Sequence, residues 1–232
     1  MEVVFTDPFK KDIPYFNRGL VTDYQTSPEG ILYREVYSKK DNEKRLIKLN
    51  YFHESNPNDP TGWDEFERFW ESLDLSEIKT LVFDGYTAWE YLARVKADAM
   101  PHAEDDGWFV PRQSKKFIES YLRSFFYGIP CNLAMVGHVS KERINEAKGA
   151  NDSMITHLFA PAAIGDLKQD IVRLFSETYI TRVVKVEGEK RVQLQTEIDN
   201  KYYACTQMGM PDSMELTKDT TWKELVETIG VN

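Results

Sequence analysis

In Lys79-Thr80-Leu81-Val82-Phe83-Asp84-Gly85, largely apolar residues follow one another without alternation and stop at an acid. A half-buried strand alternates apolar and polar residues; a strand covered on both faces, as in a parallel sheet, does not. The segment therefore predicts a strand in the interior of an α/β domain. Outward from it, Asn132-Leu133-Ala134-Met135-Val136-Gly137-His138 repeats the pattern and predicts a second buried strand. Between the two, 87–97 predicts a helix and 101–111 a polar, acidic surface loop. Residues 114–126 predict a strongly amphipathic helix, with Phe117, Ile118, Tyr121, Leu122, Phe125 and Phe126 on its apolar face. Upstream, 3–6 is a short apolar run closed by Asp7-Pro8, which predicts a third buried strand. Residues 31–37 and 46–52, joined by a polar turn, predict a hairpin. A loop over 56–62 leads into a helix whose Phe66, Phe69, Trp70 and Leu73 sit at three- and four-residue spacing, with Thr61 or Asp64 as its cap.

Beyond His138 the pattern changes. Residues 140–156 are polar and predict a mobile segment, 164–175 a helix, and 178–186, 191–196 and 201–207 antiparallel strands. Residues 221–229 predict a short closing helix. Strands alternating with helices at this spacing predict an α/β fold with a mainly parallel sheet flanked by helices and antiparallel strands toward the C-terminus. With no repeat and no linker composition, 1–232 reads as a single domain, and 176–208 as an antiparallel extension of it.

The chain of 232 residues carries a net charge of −9 and 41% apolar residues. No run approaches the ~20 apolar residues of a membrane span, and the first residues lack the basic and apolar regions of a signal peptide. Cys131 and Cys205 lie far apart and outside any CxxC, which fits a reducing cytoplasm. The acidic balance opposes whole-surface nucleic-acid binding, which needs clustered cations. It leaves two local patches: Lys39, Lys40, Lys44, Arg45 and Lys48, and Arg112, Lys115, Lys116 and Arg123. The plain reading of each is a solvated face.

Asp84 leads the candidate site residues. An acid at the carboxyl end of a buried parallel strand faces the crevice where open α/β sheets bind ligands, and in P-loop NTPases such an aspartate holds magnesium. The plain alternative is a turn residue or helix cap. His138 ends the second strand and falls beside Asp84 if the strands are neighbours; its plain alternative is a hydrogen-bonded structural residue. Asp7 ends the first strand and points into the same crevice if that strand joins the sheet. Lys141 and Arg143 follow His138 as candidate contacts to phosphate or nucleic acid; their plain alternative is a solvated face. There is no HExxH, no GxSxG, no metal-ligand spacing among His53, His102, His138 and His157, and no GxxxxGK[ST].

The order Thr80-Leu81-Val82-Phe83-Asp84, Asn132 to Val139, Pro161-Ala162-Ala163-Ile164-Gly165-Asp166-Leu167, Leu194-Gln195-Thr196 and Tyr202-Tyr203-Ala204 resembles phage RecA-like P-loop ATPases. These AAA-type ATP-binding proteins are similar to the Sak single-strand annealing proteins. The resemblance implies a RecA-like sheet, ATP and magnesium as cofactors, and work on single-stranded DNA in recombination or replication, for a phage or prophage protein in the bacterial cytoplasm. By position Asp84 resembles the Walker B aspartate, ligating the metal, and His138 the polar residue ending the sensor strand; both are catalytic candidates. Asp7, Asp84, Lys141 and Arg143 are the nucleotide-binding candidates.

Two departures shape the expectation. Family members carry a strand, a P-loop and a helix, together about thirty residues, before the strand that resembles 3–7; here the match starts at that later strand. Phe9 falls near the position of the family's catalytic glutamate, and Gly85, not an acid, follows Asp84. Without a ring of backbone N–H groups for the β-phosphate and a lysine for the γ-phosphate, little positioning remains for phosphoryl transfer. The expectation is a weak or inactive ATPase, with a non-catalytic module binding single-stranded DNA or protein as the alternative. An absent strand would also leave a sheet edge unpaired, which predicts self-association. A third reading, an enzyme or interaction protein of another α/β type with the likeness accidental, is favoured if Asp84 and His138 do not lie on neighbouring strands.

Overall fold

The computed structural model describes residues 1–6, 19–101, 106–145, 155–163, 167–197, 204, 206–207 and 210–217. The chain contains two compact units, Met1–His138 and Val139–Asn232.

The first unit is α/β. Its sheet contains β1 (Glu2–Phe5), β2 (Leu20–Val21), β3 (Gln25–Thr26), β4 (Leu32–Tyr37), β5 (Arg45–Tyr51), β6 (Thr80–Asp84) and β7 (Asn132–Val136), in the order β2-β4-β5-β1-β6-β7, with β3 also on β4. β5, β1, β6 and β7 run parallel; β4 is antiparallel to β5 and to β2 and β3. The mixed sheet with a parallel core and the β4–β5 hairpin match the sequence expectation.

Three helices connect these strands: α1 (Gly62–Ser72), α2 (Tyr86–Asp98) and α3 (Phe109–Gly128). Their aromatic residues meet on one face of the sheet. Trp63 of α1 stacks on Trp89 of α2 at 5.7 Å, and Phe66, Trp89 and Phe125 of the three helices surround Phe83 of β6. The pleat sends Val82 to the opposite face, where it joins Val3, Phe5, Val36, Ile47, Leu49 and Tyr51 in a second core. All of Glu2 to Phe5 is buried, so β1 sits where the unalternating sequence requires it. Aromatic burial of this extent is the main stabilising term for the unit, each ring removing about 150–250 Å² from water.

Local signals explain the helix ends. Glu54 caps α1, its Oε2 accepting from the N–H groups of Thr61 and Gly62, both at 3.1 Å. Thr61 holds the cap position but its hydroxyl turns to Glu65, and Asp64 pairs with Lys96. α3 begins earlier than expected, at Phe109, taking in part of the anticipated loop. Pro111 is tolerated because it stands in the first turn, where the backbone N–H has no helical acceptor.

β7 corrects the expectation of a second buried strand. Its residues alternate between exposed and half-buried. Leu133 and Met135 lie in register with Leu81 and Phe83 on the helix side, whereas Asn132, Ala134 and Val136 are exposed on the other. The apolar composition is there, but the strand stands at the end of the sheet and only one face has a cover among the described residues.

The second unit contains the antiparallel hairpin β8 (Val139–Asn145) and β9 (Ile155–Pro161), the helix α4 (Leu167–Leu174), and the antiparallel sheet β10 (Ile180–Val186), β11 (Glu189–Gln195) and β12 (Ser213–Leu216). The polar stretch expected to be mobile thus contains a strand, β8, held by its register with β9. The third strand of the C-terminal sheet is 213–216, not 201–207, whose described residues Ala204, Thr206 and Gln207 are outside any strand. The helix expected over 221–229 lies outside the described residues. No helix among the described residues is long and apolar enough to cross a membrane.

Candidate functional site at the strand carboxyl ends

β1, β6 and β7 are consecutive neighbours in the sheet and run the same way, so their carboxyl ends meet at one edge. Asp84 closes β6 in register with Phe5 and Val136, on the face opposite the helices. His138 follows β7 by two residues. Asp84 and His138 therefore stand at the ends of adjacent strands. Asp84 is half-buried and His138 exposed.

Backbone and hydroxyl bonds fix this edge. The Thr6 N–H donates to the Asp84 carbonyl at 3.1 Å, and the Thr6 hydroxyl to the Gly85 carbonyl at 2.7 Å. From the other side the Gly85 N–H donates to the Val136 carbonyl at 3.2 Å. The His138 N–H donates to the Thr87 hydroxyl at 3.3 Å, tying the exit of β7 to the first turn of α2. Gly85 turns the chain from β6 into α2 with φ +105°, a value that favours glycine. Gly137 allows close approach: a Cβ there would lie 3.2 Å from Tyr86 Cβ. Tyr86 is 3% exposed, and burial, with the Glu90 carboxylate adding to it, pushes its phenol well above the ordinary range. It is a packing residue, not an acid–base group.

Thr6, Thr87 and the positive φ of Gly85 escaped the sequence reading. Gly85 carried a signal, a glycine between a strand-ending acid and a helix; the two threonines carried none.

Asp7, like Phe9, lies outside the described residues. Lys141 and Arg143 are on β8 of the second unit, in register with Phe159 and His157. The two basic patches are partly neutralised: Arg45 pairs with Glu35 at 2.8 Å and Glu2 at 3.4 Å, Arg112 with Asp106 at 3.0 Å, and Lys115 and Arg123 both approach Glu119.

No group of three or more His, Cys, Asp or Glu side chains among the described residues could hold a metal. Asp84 offers a single carboxylate, and magnesium is commonly bound through one or two carboxylates plus substrate phosphates. A cavity of about 410 Å³ opens elsewhere, at the amino ends of the strands, with Glu2, Arg45, Lys48, Asn50, Phe69 and Glu77 in its lining. Neither Asp84 nor His138 lines this cavity. No family model, no curated protein and no solved structure matches the chain.

Proposed function

We propose that the first unit is the nucleotide-handling core of a RecA-like phage protein of DNA recombination or replication, acting in the host cytoplasm, and that these 232 residues alone turn ATP over poorly. The observation that carries the reading is Asp84 and His138 at the carboxyl ends of adjacent parallel strands, where open α/β sheets take ligands. On this reading Asp84 supplies one carboxylate to a magnesium ion held chiefly by the β- and γ-phosphates. His138 stands beside it, tied through Thr87 to α2, where a change in phosphate charge reaches the helix. The sequence contains no GxxxxGK[ST], so the backbone cradle and the lysine that position the phosphates are missing from the partnership.

The test is ATP binding and turnover by the purified chain. Weak, magnesium-dependent binding that Asp84→Ala abolishes, with phosphate release at background, supports the proposal. Binding indifferent to magnesium and to Asp84 removes the metal role; robust turnover abolished by Asp84→Ala refutes the predicted inactivity.

The second reading is a non-catalytic module for single-stranded DNA or protein. Trp108, 75% exposed and four residues before Arg112 at the start of basic α3, favours it, because stacking on aromatics together with cations is how single strands are held. Salt-sensitive binding of a labelled oligothymidine without ATP, lost in Trp108→Ala, selects this reading; no binding at low salt eliminates its DNA form.

A further inference from the structure

The two edges of the first unit's sheet are built differently. One ends in β2 and β3, two residues each, beside a strand whose register shifts between Val36 and Tyr37. Very short strands and bulges are devices that blunt an edge against pairing. The other edge, β7, has none of them. It is five residues long and in unbroken register with β6 from Asn132 to Val136, and no residue from Ile129 to Gly137 is charged. Among the described residues nothing pairs with its outer side. Val136 is 51% exposed.

We propose that β7 is the interface of a homodimer, in which the β7 edges of two copies pair antiparallel across a two-fold axis at Ala134. The occupant is a second copy because the strand is complementary to itself, as a two-fold interface requires. Antiparallel pairing about Ala134 sets Leu133 opposite the partner's Met135 on the helix side. On the open face it sets Asn132 opposite the partner's Val136, and Ala134 opposite its own equivalent. No charge meets a charge, in a chain whose net charge of −9 otherwise repels its copies. The smallest side chain of the strand lies on the axis, where the closest approach is needed. The interface stands whether or not the strand ends hold a nucleotide.

The experiment is sedimentation of the full chain over about 1–100 µM, a range wide enough to expose micromolar association. The expected result is a concentration-dependent mass reaching twice 27.0 kDa. Ala134 is exposed in the single chain, so Ala134→Lys and Ala134→Glu leave its fold intact, checked by circular dichroism. Each variant places like charges directly opposite one another across the axis and should weaken the dimer about fivefold or more. An equimolar mixture of the two should restore it. A wild-type chain that stays monomeric, variants that associate as the wild type does, or a mixture no tighter than the variants alone each overturns the proposal.

Discussion

Replacing Thr6 isolates the bond that holds β1 to the turn after Asp84. The side chain is 3% exposed, and its hydroxyl donates to the Gly85 carbonyl at 2.7 Å. In Thr6→Val that bond is lost but no partner is orphaned: the Gly85 carbonyl still accepts from the N–H groups of Ala88 at 2.8 Å and Trp89 at 2.9 Å. The Asp84 carbonyl keeps the Thr6 backbone N–H. The cost is therefore one net hydrogen bond, about 1 kcal/mol, without the added penalty of a stranded polar group. Thr6→Ser keeps the hydroxyl and loses one buried methyl, about 0.8 kcal/mol. Thr6→Ala loses both, about 2 kcal/mol. Urea unfolding followed by tryptophan emission reads the first unit, which holds Trp63, Trp70, Trp89 and Trp108 of the five tryptophans. A valine variant costing nothing refutes the hydrogen bond. One costing as much as alanine shows that an orphaned carbonyl was overlooked.

Glu2 is 6% exposed, and burial raises its carboxyl above the ordinary 4.5 against the opposing hydrogen bond from Asn50 and the charges of Lys48 and Arg45. A carboxyl whose folded value is raised contributes most below its unfolded value, and stability falls as pH climbs through the folded value. Glu2→Gln is thus expected to raise the thermal midpoint relative to wild type at pH 7 and to leave it unchanged at pH 4, Arg45 keeping Glu35; a uniform loss at both pH values contradicts this. Trp89 is fully buried and its indole N–H has no partner among the described residues. Trp89→Phe should fall within about 1 kcal/mol of wild type because removing a stranded donor offsets lost packing, whereas Trp89→Ala should cost about 3–5 kcal/mol; equal losses by circular dichroism would count against the stranded donor. Gly85→Ala, at φ +105°, should cost about 1–2 kcal/mol in thermal melts, and a neutral result would contradict the left-handed turn after Asp84.

What could be read from the sequence was what local pattern determines. Val3 to Phe5 and Leu81 to Phe83 are unbroken apolar runs, and both are buried on two faces. Leu133 to Val136 is an equally good run, yet β7 is half open, because composition says which faces can be buried and not whether a neighbour covers them. β8 was hidden for the opposite reason. Val139-Ser140-Lys141-Glu142-Arg143-Ile144-Asn145 has no strand pattern of its own and becomes one through pairing with 155–161. At the site, Asp84 and His138 were legible as residue types ending strands. Thr6 and Thr87 were not: they act through contacts 79 and 51 positions away along the chain.

The same topology makes the two principal site residues unequal. Asp84 ends a strand flanked on both sides, and the peptide groups around it are tied to Thr6, just after β1, and to Val136 of β7. Its backbone position is held from both sides. His138 leaves the last strand of the sheet, exposed, with the bond from its N–H to the Thr87 hydroxyl anchoring its backbone. Whatever pairs with β7 therefore moves His138 more than Asp84. If the edge pairs with a second copy, the histidine's surroundings change on association while the aspartate's backbone stays fixed by both neighbours. A histidine resonance that shifts with protein concentration, beside a β6 amide pattern that does not, is the signature this asymmetry requires.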